Sequence, residues 1–217
     1  MTTTLAPHPA TRVRRHPERA SYDRAAIDAL LDAHWVCQIA FVHDQLPHVI
    51  PTAYWRDGDY VYIHGSNGSR MLNMLQDGDS CTNITLIDGM VLARSAFSHS
   101  VNYRSVNLYG RYQAVTDAVH KAEAFQKFFD VILPGRWPEV RPPNHKETAA
   151  TTVLRLPIEQ AVLKARSGGP KDDQEDLTRP CWAGVLPFSF HSGAAIAEPD
   201  AVGDLNLQAD LRWRQRW

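Results

Sequence analysis

The chain is expected to form a mainly β domain with helical additions, an antiparallel barrel that is closed or nearly so. Three observations lead there. Short runs rich in Val, Ile and aromatic residues follow one another with alternating apolar positions. Asp-Gly pairs, the dipeptide of two-residue hairpins, punctuate them at Asp57-Gly58 and Asp88-Gly89. Helical patterns are inserted between groups of strands, whereas a doubly wound parallel sheet needs a helix after nearly every strand.

The N-terminal residues 1–19 are rich in Thr, Pro, Arg and His without periodicity, the pattern of a flexible arm that orders where it crosses the body. From Asp23, a suitable N-cap, Ile27, Leu30 and Leu31 recur at helical spacing. Strands are expected over 35–42 and 47–55 around the polar turn His43-Asp44-Gln45, and over 60–64 after the Asp57-Gly58 turn. Gly65-Ser66-Asn67-Gly68-Ser69 stops the third strand, and Met71, Leu72, Met74 and Leu75 fit a short amphipathic helix. Two strands over 80–87 and 90–97 are expected as a hairpin turning at Asp88-Gly89, followed by a sixth over 102–115.

A helix then starts near Asp117. Ala122, Phe125, Phe129 and Ile132 give it one apolar face, and Pro134-Gly135 end it. Further strands are expected over 151–156 and 159–167, parted by Pro157. Residues 168–180 form a polar, acidic loop with a short helix. The domain thus spans 20–190, and 191–217 is a C-terminal appendage with a helix expected over 205–213.

The 217 residues suffice for one domain of ordinary size. With 44% hydrophobic and 22% charged residues, the composition is that of a globular chain. A net charge of -1 argues against a broad nucleic-acid-binding surface and leaves room for a local basic pocket that grips a small anion. Cys37, Cys81 and Cys181 are widely spaced without a C-x-x-C pair, which fits a reducing, cytoplasmic setting. No apolar run approaches the roughly 20 residues of a membrane span, and the N-terminal stretch has no apolar signal region, so neither membrane insertion nor export is expected.

Two segments could carry chemistry. In Tyr62 to Arg70 a strand ends in a Gly/Ser loop and opens a helix, where free backbone N–H groups, the helix dipole, Ser66, Ser69 and Arg70 suit a phosphate. An ordinary N-cap with an exposed arginine explains the same residues. The stretch from Ser95 to Ser105 is dense in hydroxyl, amide and cationic groups, and Arg104 offers a second cation. His64 and His99 are candidate acid/base groups or ligands, although a strand-terminal histidine is more often a structural hydrogen-bonder. No H-x-x-x-H or H-E-x-x-H pair supports zinc, and no G-x-S-x-G elbow supports a serine hydrolase. A single axial heme ligand has no spacing signature, so heme stays open.

Taken in order, several runs resemble one family. They are Arg15-His16-Pro17-Glu18-Arg19 with Tyr22-Asp23-Arg24, His48-Val49-Ile50-Pro51-Thr52, Tyr62-Ile63-His64-Gly65-Ser66, the stretch from Asp88 to Phe97, Asn102-Tyr103-Arg104-Ser105-Val106 and Trp182-Ala183-Gly184-Val185-Leu186-Pro187. Together, over about 14–188, they look like the pyridoxamine 5′-phosphate oxidase-like superfamily, in its flavin-nucleotide-binding branch with the nitroimidazole-resistance reductases.

The resemblance implies a six-stranded antiparallel split barrel of the FMN-binding type and a homodimer with flavin at the subunit interface. It implies that Ser66, Ser69 and Arg70 hold the FMN phosphate and that Pro51, Thr52 and Tyr54 lie along the isoalloxazine. Ser95, Asn102, Tyr103 and Arg104 would close the site, Lys164, Arg166 and Trp182 would reach across the dimer, and His64 would stand near the substrate end of the flavin. The pattern that vitamin-synthesising members use for pyridoxamine phosphate is absent from 179–217. Deazaflavin reductases and heme-binding members share the superfamily, so the barrel alone does not fix the cofactor.

The expected function is a cytoplasmic FMN oxidoreductase that takes electrons from reduced nicotinamide or another donor to a small substrate, nitroaromatics included. His64 is its candidate proton donor. The alternatives are a heme-binding or heme-handling protein with His64 or His99 as axial ligand, and a non-catalytic FMN-binding protein. No nucleic-acid or membrane partner is expected.

Overall fold

The computed structural model describes residues 3–203. It contains one antiparallel sheet of ten strands among them, in the order β1-β9-β6-β5-β2-β3-β4-β8-β7, with β10 paired to β5. The strands are β1 (Ala20–Ser21), β2 (Val36–His43), β3 (Leu46–Asp57), β4 (Tyr60–Ser66), β5 (Ser80–Leu92), β6 (Ser100–Gly110), β7 (Gln113–Ala114), β8 (Thr151–Pro157), β9 (Ala161–Arg166) and β10 (Gly184–Pro187). The helices are α1 (Arg24–Leu31), α2 (Arg70–Asp77), α3 (Ala118–Ile132) and α4 (His145–Ala149).

The order of the strands shows how the sheet curls. β8 and β9 stand near opposite ends of the ladder, yet only residues 158–160 connect them. A flat sheet of this width cannot be bridged by three residues, which span about 10 Å at most. The sheet therefore wraps until its ends meet without pairing, which is a split barrel. Its interior holds Ile27, Ile39, Ile63, Leu72, Ile84 and Leu154, each at most 1% exposed.

Local chemistry explains most element ends. Asp23 caps α1 by accepting from Ala25 N, and Asp117 caps α3 by accepting from His120 N. Asp44 and Gln45 both take positive φ, 50° and 63°, so the β2–β3 turn has the mirror-image geometry that matches strand twist. Gly58 at φ 55° serves the β3–β4 turn in the same way.

Several expectations are corrected. Asp88-Gly89 is not a hairpin: β5 runs through it from Ser80 to Leu92, paired with β6 throughout and displaced only by a bulge between Ile87 and Gly89. Glycine is required there because β10 crosses so closely that a Cβ would lie 2.6 Å from Leu186 O. The sixth strand stops at Gly110 rather than 115, and the chain re-enters the sheet only as the two-residue β7. Beside the longer strands of the split barrel the sheet also takes in the short β1, β7 and β10, which carry no periodicity in the sequence, and α4 is a single turn. The helix expected over 205–213 lies outside the described residues.

Residues 3–19 lie along the body: Thr4 bridges Asp23, Leu5 N donates to Tyr22 O, and Tyr22 donates its hydroxyl proton to Thr11 O. Among the described residues no helix is long and apolar enough to cross a membrane.

Candidate functional site

Around β4 the barrel presents two unlike faces. Val61 and Ile63 point into the core, while Tyr62 and His64 alternate outward under α3. There His64 meets Phe128 edge-on at 4.8 Å between ring centroids, Phe125 at 5.8 Å and Trp55 at 5.8 Å. Its Nδ1 and the Nε1 of Trp55 are both buried without a hydrogen-bond partner among the described residues. Burial among these rings pushes the His64 pKa down, so the imidazole is neutral at pH 7. A neutral imidazole with an unclaimed nitrogen is fit to donate, accept or ligate.

Two residues beyond His64 the strand becomes the phosphate-type loop. Ser69 caps α2, its hydroxyl accepting from Leu72 N, and Ser66 Oγ accepts from Gly68 N. Both hydroxyls keep a proton to donate. Asn67 ties the loop to the α4–β8 segment, donating from Nδ2 to Ala149 O and accepting from Thr152 Oγ1. Gly65 allows α2 to pack close, since a Cβ there would lie 3.0 Å from Leu72 Cδ1. Arg70 is exposed, and its guanidinium has no salt bridge or hydrogen bond among the described residues. An arginine unpaired among the described residues, two hydroxyl donors and a helix start follow one another here along the chain, groups of the kind that bind an anion.

The second group gathers where β6 pairs with β9. Arg166 donates to Asn102 Oδ1 and to the carbonyls of Gly168 and Gly169, while Asn102 Nδ2 donates to Gly168 O at 3.1 Å. Lys164 Nζ donates to Arg15 O at 3.0 Å. Arg104 is held by Asp88, which accepts from Nε at 2.9 Å and Nη2 at 2.7 Å. Ser95 caps a 3₁₀ turn, accepting from Ser98 N, and His99 is exposed with Nδ1 at 2.9 Å from Ser95 O. Tyr103 is half-buried on β6, and Trp182 is exposed ahead of β10 with its ring against Gly184. Sequence order thus brings these residues into one neighbourhood, with their polar groups largely engaged by the chain itself.

The two groups are separate within the chain. Strands β5, β2 and β3 lie between β6 and β4 along the sheet, and the other way round lie β9, the split and β8. Between them on β3, Pro51 is exposed and Thr52 half-buried. Tyr54 is a correction: it is fully buried in the barrel core, and its hydroxyl donates to Leu31 O at 2.7 Å, so its side chain offers no surface to a ligand. The cause is that β3 is covered on both faces here, Tyr54 by the core and Trp55 by α3.

Sequence reasoning passed over three residues. Trp55 reads as an ordinary strand aromatic until α3 covers it. His34 precedes β2, and its Nδ1 accepts from Trp35 N at 2.8 Å and Val36 N at 3.1 Å. Asp172, in the acidic loop, has a side chain only 2% exposed and accepts from both Arg94 N and Arg94 Nη1, which pins that loop to the end of β5. The only available clue was an aspartate facing an arginine 78 positions away, which one sequence cannot pair. Cys37 lies in the core, where burial pushes its thiol pKa up to about 12, so it is unreactive. Among the described residues no group of three His, Cys, Asp or Glu side chains could hold a metal ion.

No curated protein matches the chain. Solved structures do. It is similar to the flavocytochrome Anf3 from Azotobacter vinelandii at 38% identity and a TM-score of 0.89, over 96% of this chain and 97% of that one. It is similar to the FAD and heme binding protein from Mycobacterium smegmatis at 36% identity and a TM-score of 0.83, over 90% of this chain and 97% of that one. A candidate 5-nitroimidazole antibiotic resistance protein from Bacteroides thetaiotaomicron, at 20% identity and a TM-score of 0.54 over 67% of this chain and 85% of that one, shares the fold. The sequence pattern of the pyridoxamine 5′-phosphate oxidase family matches residues 23–165, two thirds of the chain. With that match, the split barrel and the near-full-length likeness to two solved proteins in agreement, the chain belongs to the pyridoxamine 5′-phosphate oxidase family.

Proposed function

We propose that the protein is a flavin- and heme-binding redox protein that works as a cytoplasmic homodimer and passes electrons from reduced nicotinamide or another donor to a small acceptor. The observation that carries this reading is the likeness, over nearly the whole chain, to one protein named a flavocytochrome and another named for binding FAD and heme. Heme thereby moves from an alternative to flavin to a companion of it. FMN and FAD share the isoalloxazine and the first phosphate, which are the parts that this chain's groups address.

The chain's residues fit both groups. Ser66, Ser69 and Arg70 would hold the flavin phosphate, because charge-assisted bonds from a guanidinium and a helix start suit a phosphate. Pro51 and Thr52 of β3 would lie beside the flavin ring. His64 would hold the heme iron, since its neutral imidazole has an unclaimed buried nitrogen within an aromatic shell. His99, exposed and turned to Ser95 O, has no such shell. The flavin supplies hydride and single-electron chemistry and the heme single-electron chemistry, while the protein orients both and tunes them.

The homodimer reading rests on two features. Val42, Leu46 and Val49 beside the β2–β3 turn, and Met90 with its cross-strand neighbours Val101 and Leu186, are exposed apolar side chains of the kind that a partner surface covers. The Asn102–Arg166 group is also separated from the Arg70 group by three strands of the sheet, so in a dimer it would meet a flavin held at Arg70 of the other copy. An absorption spectrum of the purified protein, repeated after reconstitution and followed by size-exclusion chromatography, tests the proposal. Flavin bands and a Soret band on one dimeric species support it, and a monomer that takes up neither group overturns it.

A further inference from the structure

The sheet parts between β2 and β5. Their pairing runs only over Gln38–Asn83, Ile39–Thr82 and Ala40–Cys81, so the first residues of β2 and the later part of β5 diverge. A cavity of about 250 Å³ fills the fork. Thr85 and Ile87 of β5 form its floor, His34 and Trp35 its wall, and Phe188 and Phe190 its roof. The roof is held in place by β10, which pairs with β5 through Pro187–Gly89, and by Phe188 N donating to Asp88 O at 3.1 Å.

His34 sets the chemistry of this space. Two backbone N–H groups point at its Nδ1, so Nδ1 is the acceptor and the ring proton sits on Nε2. Nε2–H has no partner among the described residues and is the one directional donor that the histidine leaves for the cavity. None of the lining residues is a Lys, Arg, Asp or Glu, so no side-chain charge there would pair with a charged occupant. The volume falls just below the roughly 300 Å³ at which pockets for drug-sized ligands begin, which suits a molecule of one or two rings. Aromatic walls favour a flat one.

We propose that this cavity binds an uncharged, planar aromatic molecule bearing a carbonyl oxygen, with His34 Nε2–H donating to that oxygen and the ring lying against Trp35 and Phe188. The site lies two strands along the sheet from β4, which carries His64 and the phosphate-type loop. It is complete within one chain and does not depend on the flavin and heme assignments.

Menadione is a suitable probe, titrated into the full-length protein as purified and followed by isothermal calorimetry. One site per chain is expected, with naphthalene, which lacks the carbonyl, binding at least ten-fold more weakly. His34→Asn keeps an acceptor for the two backbone N–H groups and withdraws the donor from the position of Nε2, because its shorter amide ends nearer the backbone, and it is expected to weaken menadione binding ten-fold or more with cofactor absorbance unchanged. Phe188→Ser, in the partly exposed roof, is expected to do the same and serves as the test if the histidine variant misfolds. Unchanged affinity in both variants overturns the proposal. So does mole-for-mole release of flavin by menadione, which assigns the cavity to the flavin ring. Binding that emerges only after residues 204–217 are deleted assigns it to the chain's own C-terminal segment and overturns it as well.

Discussion

The rings of Trp55 and His64 lie 5.8 Å apart, centroid to centroid, and each holds a buried nitrogen that no group among the described residues satisfies. Leaving such an atom unpaired costs about 1–3 kcal/mol, so two of them in one aromatic shell mark a place that folding alone does not explain. Phenylalanine has nearly the shape of histidine and no ring nitrogen. His64→Phe is therefore expected to leave the melting temperature of cofactor-free protein unchanged or higher, while the Soret band of reconstituted protein is lost and flavin uptake persists. Calorimetry and absorption spectra on the same sample check this.

Arg70 tests the phosphate end independently. Its guanidinium is exposed and has no salt bridge or hydrogen bond among the described residues, so replacing it disturbs none of their contacts. Arg70→Gln is expected to weaken flavin binding 10- to 100-fold, the loss of one charge-assisted bond worth about 1.5–3 kcal/mol, with stability changed by less than about 0.5 kcal/mol. Flavin fluorescence titration reads the first and thermal denaturation the second.

Tyr54 makes the opposite prediction. Its side chain belongs to the core and its hydroxyl satisfies Leu31 O. Tyr54→Phe leaves that buried carbonyl short of a donor, at a cost of about 1–2 kcal/mol, which lowers the melting temperature by roughly 2–8 °C in a chain of this size. Flavin affinity is expected to stay within two-fold of the parent (about 0.4 kcal/mol).

His34 gives a pH dependence. Burial lowers its pKa in the folded state below the ordinary value, so above the unfolded pKa of about 6.5 both states are neutral and nothing is lost. As pH falls below that value the unfolded chain takes up a proton that the folded one resists, and stability declines until the folded pKa is passed. The melting temperature is expected to drop between pH 7 and pH 5, and His34→Asn to flatten that part of the curve. An equal slope in the variant would assign the effect to other histidines.

Much of this was legible in the sequence because it depends on neighbours along the chain. The caps Asp23, Ser69 and Asp117 were readable, as were the turns at Asp44-Gln45 and Gly58 and the apolar stripes of α1 and α3, since each is a matter of one to four residues. The order of the family's runs was readable for the same reason. So was the gathering of Ser66, Ser69 and Arg70, which a strand, a loop and a helix start bring together without help from elsewhere.

Tertiary structure alone decided what depends on partners far along the chain. Asp88-Gly89 carries the local chemistry of a hairpin, and only the continuous pairing with β6 and the crossing of β10 convert it into a bulge. Alternation shows that Tyr54 and Trp55 face opposite ways, but not that the core takes one and α3 the other, leaving an indole N–H without a partner beside His64. His34 gains a cavity only because Phe188 and Phe190 return to it from more than 150 residues away. By itself the sequence determined most of the longer strands, the caps and the Gly/Ser loop that opens α2. The shell around His64 and the fork between β2 and β5 came from the closing of the sheet, because contacts at that separation are set by the packing of whole surfaces, which no local pattern encodes.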